Sequence, residues 1–194
     1  MNSDALKPLK AFVVAFTHLV DCESDERLIL ERGTILLREL ISDDGWLPAA
    51  LAEPHPDHYL QNLLHCDVHE RFSVVASVWG PGQGTPPHSH GIWGLVGVLR
   101  GAEVVRSVTR ESDGGLTLGS VRTLRPGDID VISQAAGNTH LVSNAHDDRT
   151  SISIHVYGNN IGLARRAILR SDGPDEPFLS GYSNATLPNF WLAR

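Results

Sequence analysis

From Phe72 onward the chain reads FSVVASVW (72–79), GIWGLVGVL (91–99), AEVVRSVT (102–109), LTLGSVRTL (116–124), DIDVIS (128–133), HLVSN (140–144) and TSISIHVYG (150–158). The runs are rich in β-branched and apolar residues, and glycine, proline and aspartate separate them. Short strands spaced roughly ten residues apart, with turn residues between them, predict a compact antiparallel barrel or sandwich.

Upstream the period changes. Leu6, Leu9, Phe12, Val13, Phe16, Leu19 and Val20 recur at three- and four-residue spacing, one face of a helix, with Ser3 or Asp4 as its cap. Ser24 is placed to cap a second helix carrying Leu28, Ile29 and Leu30, which Gly33 would end or bend. Thr34 to Ile41 reads as a third helical stretch, Trp46 to Asp57 as irregular, and Tyr59 to Leu64 as a short helical piece. Beyond the strands, Arg165 to Leu169 suggests a short helix or turn before a tail that returns over the surface. With no repeat, low-complexity tract or linker, the 194 residues read as one domain. Its parts are a helical region (1–65), a β-barrel (70–160) and an extension (161–194).

Composition narrows the partners. Apolar residues make up 41% and charged residues 20%, as expected of a globular protein rather than a disordered one. A net charge of −7 argues against nucleic acid or an anionic membrane as partner, since both need a basic surface. No apolar run approaches the ~20 residues that span a bilayer. Charged Asp4, Lys7 and Lys10 interrupt the N-terminal apolar stretch and argue against a cleavable signal. Two cysteines, Cys22 and Cys66, do not make a disulfide framework, so a reducing cytoplasm is the simplest location. Self-association is left open.

The histidines carry the chemistry. His88 and His90 form an H-x-H pair, and in a strand residues two apart face the same way, so both imidazoles can reach one metal. His140 opens a separate run and offers a third ligand. His18, His55, His58, His69 and His146 lie in helical or polar loop contexts and read as ordinary. Neutral imidazoles leave the full 2+ charge on a metal, which favours an anionic ligand. Zinc on three histidines, in a hydrolase or hydratase, is chemically sensible too.

The spacing of these residues is informative. Gly82, His88, His90, Gly94 and Gly101 stand at the intervals of the first cupin motif, and Gly137, His140 and Asn144 at those of the end of the second. The chain thus resembles the cupin superfamily, which implies a mainly β fold, a double-stranded β-helix barrel with a metal on its inner wall. It departs from the pattern twice: Gly94 stands where the first motif usually has a glutamate ligand, and Ala135 where the second usually has proline. A three-histidine site remains.

PPHSHGIWGLVGVLRGAE (86–103) together with SISIHVYGNNIG (151–162) is similar to the bacterial thiol dioxygenases, and within them to the 3-mercaptopropionate branch, from about Trp46 onward. That resemblance implies iron(II) on His88, His90 and His140, and conversion of a small thiol acid with O2 to a sulfinic acid. Ser153, His155 and Tyr157 match the family's Ser-His-Tyr set, and their two-residue spacing lets them form a hydrogen-bonded chain on one strand face. Gln61, in HYLQNLLHCD (58–67), stands where mammalian-type cysteine dioxygenases place a carboxylate-binding arginine, and Arg166 matches an arginine of the mercaptopropionate branch. Both are candidate substrate-binding residues. The stretch Gly91 to Leu95 lacks the cysteine that crosslinks to the tyrosine in mammalian enzymes, so no crosslink is expected at Tyr157. Cysteine, cysteamine and mercaptosuccinate are alternative substrates; a zinc or nickel cupin isomerase and a non-enzymatic binding cupin are the alternative classes.

Overall fold

The computed structural model describes residues 5–133 and 139–184. Two helices, α1 (Lys7–Cys22) and α2 (Glu26–Leu40), and a 3-10 turn (Ala49–Leu51) precede the strands. These are β1 (Leu60–Cys66), β2 (Ser73–Trp79), β3 (His88–Ser89), β4 (Gly94–Arg100), β5 (Glu103–Arg110), β6 (Leu116–Leu124), β7 (Ile129–Ile132), β8 (Thr139–Asn144), β9 (Ser151–Tyr157), β10 (Arg166–Ile168) and β11 (Glu176–Phe178). All seven expected runs are strands, β2 and β4 to β9.

The strands form two antiparallel sheets, ordered β1-β2-β9-β4-β7 and β11-β10-β3-β8-β5-β6. From β2 to β5 and again from β6 to β10 the chain alternates between the two sheets, so an antiparallel ribbon winds into a double-stranded β-helix barrel. The fold is mainly β with a helical N-terminal segment.

Period-two alternation explains why β2 and β9 are buried at every position. Val74, Ala76 and Val78 of β2, Ile152, Ile154 and Val156 of β9, and Leu95 and Leu99 of β4 pack against Phe12, Phe16, Leu37 and Leu40 of the helices. Their neighbours Val75, Val96 and Tyr157, with Trp79 and Val98, point into the barrel. One face of the sheet is therefore a core for the helices, and the other is left for chemistry. Each fully buried aliphatic side chain of that core contributes about 1.5–3 kcal/mol.

Several local expectations are corrected. The first helix begins at Lys7 with Pro8 in its first turn, and its expected cap at Ser3 or Asp4 lies outside the described residues. Asp25, not Ser24, caps α2, accepting a 2.8 Å bond from the Arg27 N–H. Gly33 does not end that helix, which continues through the expected third stretch to Leu40. A Cβ at Gly33 would lie 2.8 Å from Phe16 Cε2 and 3.0 Å from Leu95 Cδ1. Close contact with α1 and the sheet thus offsets the roughly 1 kcal/mol that glycine costs inside a helix.

The expected helical piece at 59–64 is strand β1. A bulge between Leu63 and His65 leaves Leu64 unpaired against β2 and shifts the register that follows it. Residues 166–168 likewise form a strand, β10, between β11 and β3, rather than a helix or turn. Among the described residues no helix is long and apolar enough to cross a membrane.

Candidate metal centre

Sheet register brings the three histidines together. His88 of β3 is the cross-strand partner of His140 of β8, and His90 follows one residue after β3 ends. Gly91 then turns the chain at a φ of +68°, a conformation that disfavours a Cβ. Ring centroids lie 4.7 Å apart for His88–His90, 5.1 Å for His88–His140 and 4.8 Å for His90–His140. One nitrogen from each ring lies within 4.8 Å of the others, and all three side chains are buried.

Electrostatics keep two of these rings as neutral ligands. Burial, then neighbouring His140, lowers the His88 pKa to about 3; burial, then Arg122, lowers that of His140 to about 4. His88 Nδ1 lies 3.0 Å from the Pro86 carbonyl, to which it donates, leaving the Nε2 lone pair for a metal. Three buried imidazoles converging on one small space, two of them held neutral by burial, fit a divalent transition metal.

The space of the missing carboxylate is occupied. Gly94 is the cross-strand partner of Tyr157, and a Cβ at 94 would lie 2.9 Å from Tyr157 Cδ1 and 3.0 Å from Cε1. A glutamate there would collide with the ring. Gly94→Ala should cost about 1–3 kcal/mol by overpacking, read as a lower urea midpoint. An unchanged midpoint would show that the ring is not what reserves this position.

Tyr157 belongs to a chain of polar groups along β9. Ser153 Oγ lies 2.7 Å from His155 Nε2, and His155 Nδ1 lies 2.8 Å from the Tyr157 hydroxyl. The Trp79 indole N–H donates to Ser153 Oγ at 3.3 Å. Burial, then His140, lowers the His155 pKa to about 3, so its ring is neutral and holds one proton for two partners. Burial also raises the Tyr157 phenol well above its ordinary value. The Tyr157 ring stacks on His90, with centroids 5.7 Å apart, so this chain ends at the histidine cluster.

A cavity of about 620 Å³ opens beside His88. Arg166, Tyr59, Gln61 and Phe178 line it. Arg166 is 6% exposed, in contrast to exposed Arg165, and its guanidinium sits 4.6 Å from the centre of the Phe178 ring. Its Nε and Nη2 are buried without a hydrogen-bond partner among the described residues. Gln61 lies on the same wall, but its Nε2 already donates to Ser180 Oγ and to the Gly181 carbonyl, each at 2.9 Å. Gln61 thus braces the 180–181 turn, whereas two donors of Arg166 have no partner among the described residues.

Sequence reasoning overlooked other residues here. His55 and His58, read as ordinary, pack ring to ring at 4.0 Å on the cavity wall. Tyr59 stacks on Trp79 at 4.6 Å. Glu103 is completely buried. Its position two residues before inward-facing Val105 was the available signal. Cys66 is half-buried and Cys22 exposed, each with a free thiol. The motif positions Ala135 and Gly137 lie outside the described residues.

No family model matches the chain. Solved structures similar to it include a conserved protein with a double-stranded β-helix domain from Klebsiella pneumoniae, at 20% identity and TM-score 0.49, over 62% of this chain and 86% of that one. Another is a cupin superfamily protein from Desulfitobacterium hafniense, at 16% identity and TM-score 0.44, over 59% and 90%. A third is a recombinant oxalate oxidase in complex with glycolate, at 22% identity and TM-score 0.43, over 56% and 55%. The double-stranded β-helix barrel assigned to this chain rests on its own strand order.

Proposed function

We propose that this protein is a non-haem iron(II) thiol dioxygenase acting on a small thiol carboxylate, foremost 3-mercaptopropionate. The observation that carries the reading is Arg166, a buried cation whose Nε and Nη2 have no partner among the described residues, in the same cavity wall as His88 of the three-histidine cluster. A cation so placed is costly unless an anion completes it. His88, His90 and His140 would hold iron(II), which when bound supplies the redox chemistry linking dioxygen to sulfur.

The reaction balances as R–SH + O2 → R–SO2H: sulfur is oxidised by four electrons and dioxygen is reduced by four. The chain's residues would do the rest. Arg166 presents a planar pair of donors to the substrate carboxylate, and Phe178 holds that plane in position. The sulfur end is thereby directed to the histidine cluster. Tyr157, whose raised pKa keeps it a neutral phenol at working pH, holds one proton at its hydroxyl beside His90. Neutral His155 and Ser153 fix the orientation of that hydroxyl.

The test is oxygen consumption by iron-loaded protein with 3-mercaptopropionate, cysteine, cysteamine and mercaptosuccinate in parallel, with sulfinate measured as product. Uptake of one O2 per thiol is expected, fastest with 3-mercaptopropionate. No uptake with any of the four, or firm retention of zinc instead of iron by protein purified without added metal, overturns the reading. Tyr157→Phe should keep its iron while kcat falls about 100-fold, the scale of a positioned proton donor; unchanged kcat removes the tyrosine from the reaction.

A further inference from the structure

We infer that Glu103 is a positioning residue: its carboxyl sets which way the hydrogen bonds run along Ser153, His155 and Tyr157, and so whether Tyr157 offers a proton or a lone pair to the histidine cluster. Its consequence for turnover rests on the function proposed above, but the structural effect does not.

Glu103 opens β5 and is fully buried, and neither carboxylate oxygen completes a hydrogen bond of good geometry among the described residues. Its side chain lies beside the Ser153 hydroxyl and the Trp79 indole, the two groups that stabilise its charge. Its cross-strand partners are uncharged, Leu124 of β6 and Asn144 of β8. The amide of Asn144 is engaged elsewhere, with Trp79, Gly80 and Arg149 carbonyls and with Ser151. The titratable groups beyond Ser153 are His155 and Tyr157 themselves. A small side-chain rotation would let the carboxyl bond to Ser153 Oγ, the far end of the chain from the cavity.

The accounting at Ser153 ties the direction to the charge of Glu103. A serine hydroxyl donates once and accepts twice. One acceptor position is taken by Trp79 in either case. When Glu103 is ionised it can only accept, so Ser153 donates to it and accepts from His155 Nε2–H. His155 Nδ1 is then a bare lone pair, and the Tyr157 O–H turns toward it. When Glu103 is protonated it donates to Ser153, which passes its own hydrogen to His155 Nε2. His155 then carries its proton on Nδ1 and donates to the Tyr157 oxygen, freeing the phenolic O–H for the cavity. Ionised Glu103 thus permits only the first direction and its protonation opens the second, so the balance between them follows the charge of Glu103. Burial pushes that carboxyl up to about 7, against the pull of Ser153 and Trp79, which places the change near neutral pH.

The decisive measurement is nitrogen NMR of the histidine rings in full-length, 15N-histidine-labelled protein loaded with zinc as a diamagnetic ion, from pH 5.5 to 8.5. His155 is assigned by its loss in His155→Gln. In the wild type the proton-bearing nitrogen of His155 should change from Nδ1 at low pH to Nε2 at high pH, together with loss of the infrared band of a protonated carboxyl. In Glu103→Gln, which cannot ionise, one tautomer should persist throughout. A wild-type His155 that keeps one tautomer across the range, or a Glu103→Gln profile that follows the wild type, overturns the inference; the first arm needs no variant to fold. In oxygen assays of the iron-loaded protein, Glu103→Gln should lose the neutral limb of the kcat–pH profile with KM unchanged. Oxygen uptake failing for every thiol while the tautomer changes would sink the proposed function and leave this inference standing.

Discussion

Replacing His140 by alanine should abolish metal binding and, with it, the turnover proposed above. The ring is one of three converging nitrogen donors among the described residues, and it reaches the cluster from β8, across from His88 on the neighbouring strand. Perturbing a group that merely orients a metal ligand costs 10–100-fold in affinity, so loss of a ligand itself should exceed 100-fold. Metal analysis after gel filtration should find about one ion per chain in the wild type and background in His140→Ala. Folding should survive, because the β-ladder bonds of β8 come from its backbone and the apolar core lies on the helical side of the other sheet. Circular dichroism would check this. Retention of iron and oxygen uptake by the variant would exclude His140 as a ligand.

Arg166→Met should separate affinity from stability. Charge-assisted hydrogen bonds contribute about 1.5–3 kcal/mol each, so losing a two-point contact with carboxylate raises KM for 3-mercaptopropionate by about 100-fold or more. Cysteamine, which has no carboxylate, should be handled as before. Lysine should restore little, because a point charge does not reproduce the planar fork. Without ligand, the variant should melt higher than the wild type, since it no longer buries Nε and Nη2 without partners. Equal losses for both thiols, or a lower melting temperature, would make Arg166 a structural residue.

The barrel was legible because its strands are short, apolar and punctuated, and because side chains alternate with a period of two whatever the neighbouring strand is. The H-x-H pair and the Ser153–His155–Tyr157 spacing were legible for the same reason. Local pattern misled where packing overrode it. The adjacent leucines of β1 reflect a bulge, Gly33 fits the approach of Phe16, and residues 166–168 are held as a strand by β3 and β11.

The sequence by itself determined the seven strand runs, β2 and β4 to β9, the donor types at the centre and the polar face of β9, since each depends on residue identity and on spacing within one segment. Only the tertiary structure decided that His140 faces His88, that Tyr157 fills the place of a side chain at 94, that Gln61 is engaged with the 180–181 turn while Arg166 buries two donors without a partner among the described residues, and that Glu103 is buried beside Ser153. The physical reason is that register between strands far apart in the chain, and the desolvation it imposes, are properties of the closed barrel and of no single segment.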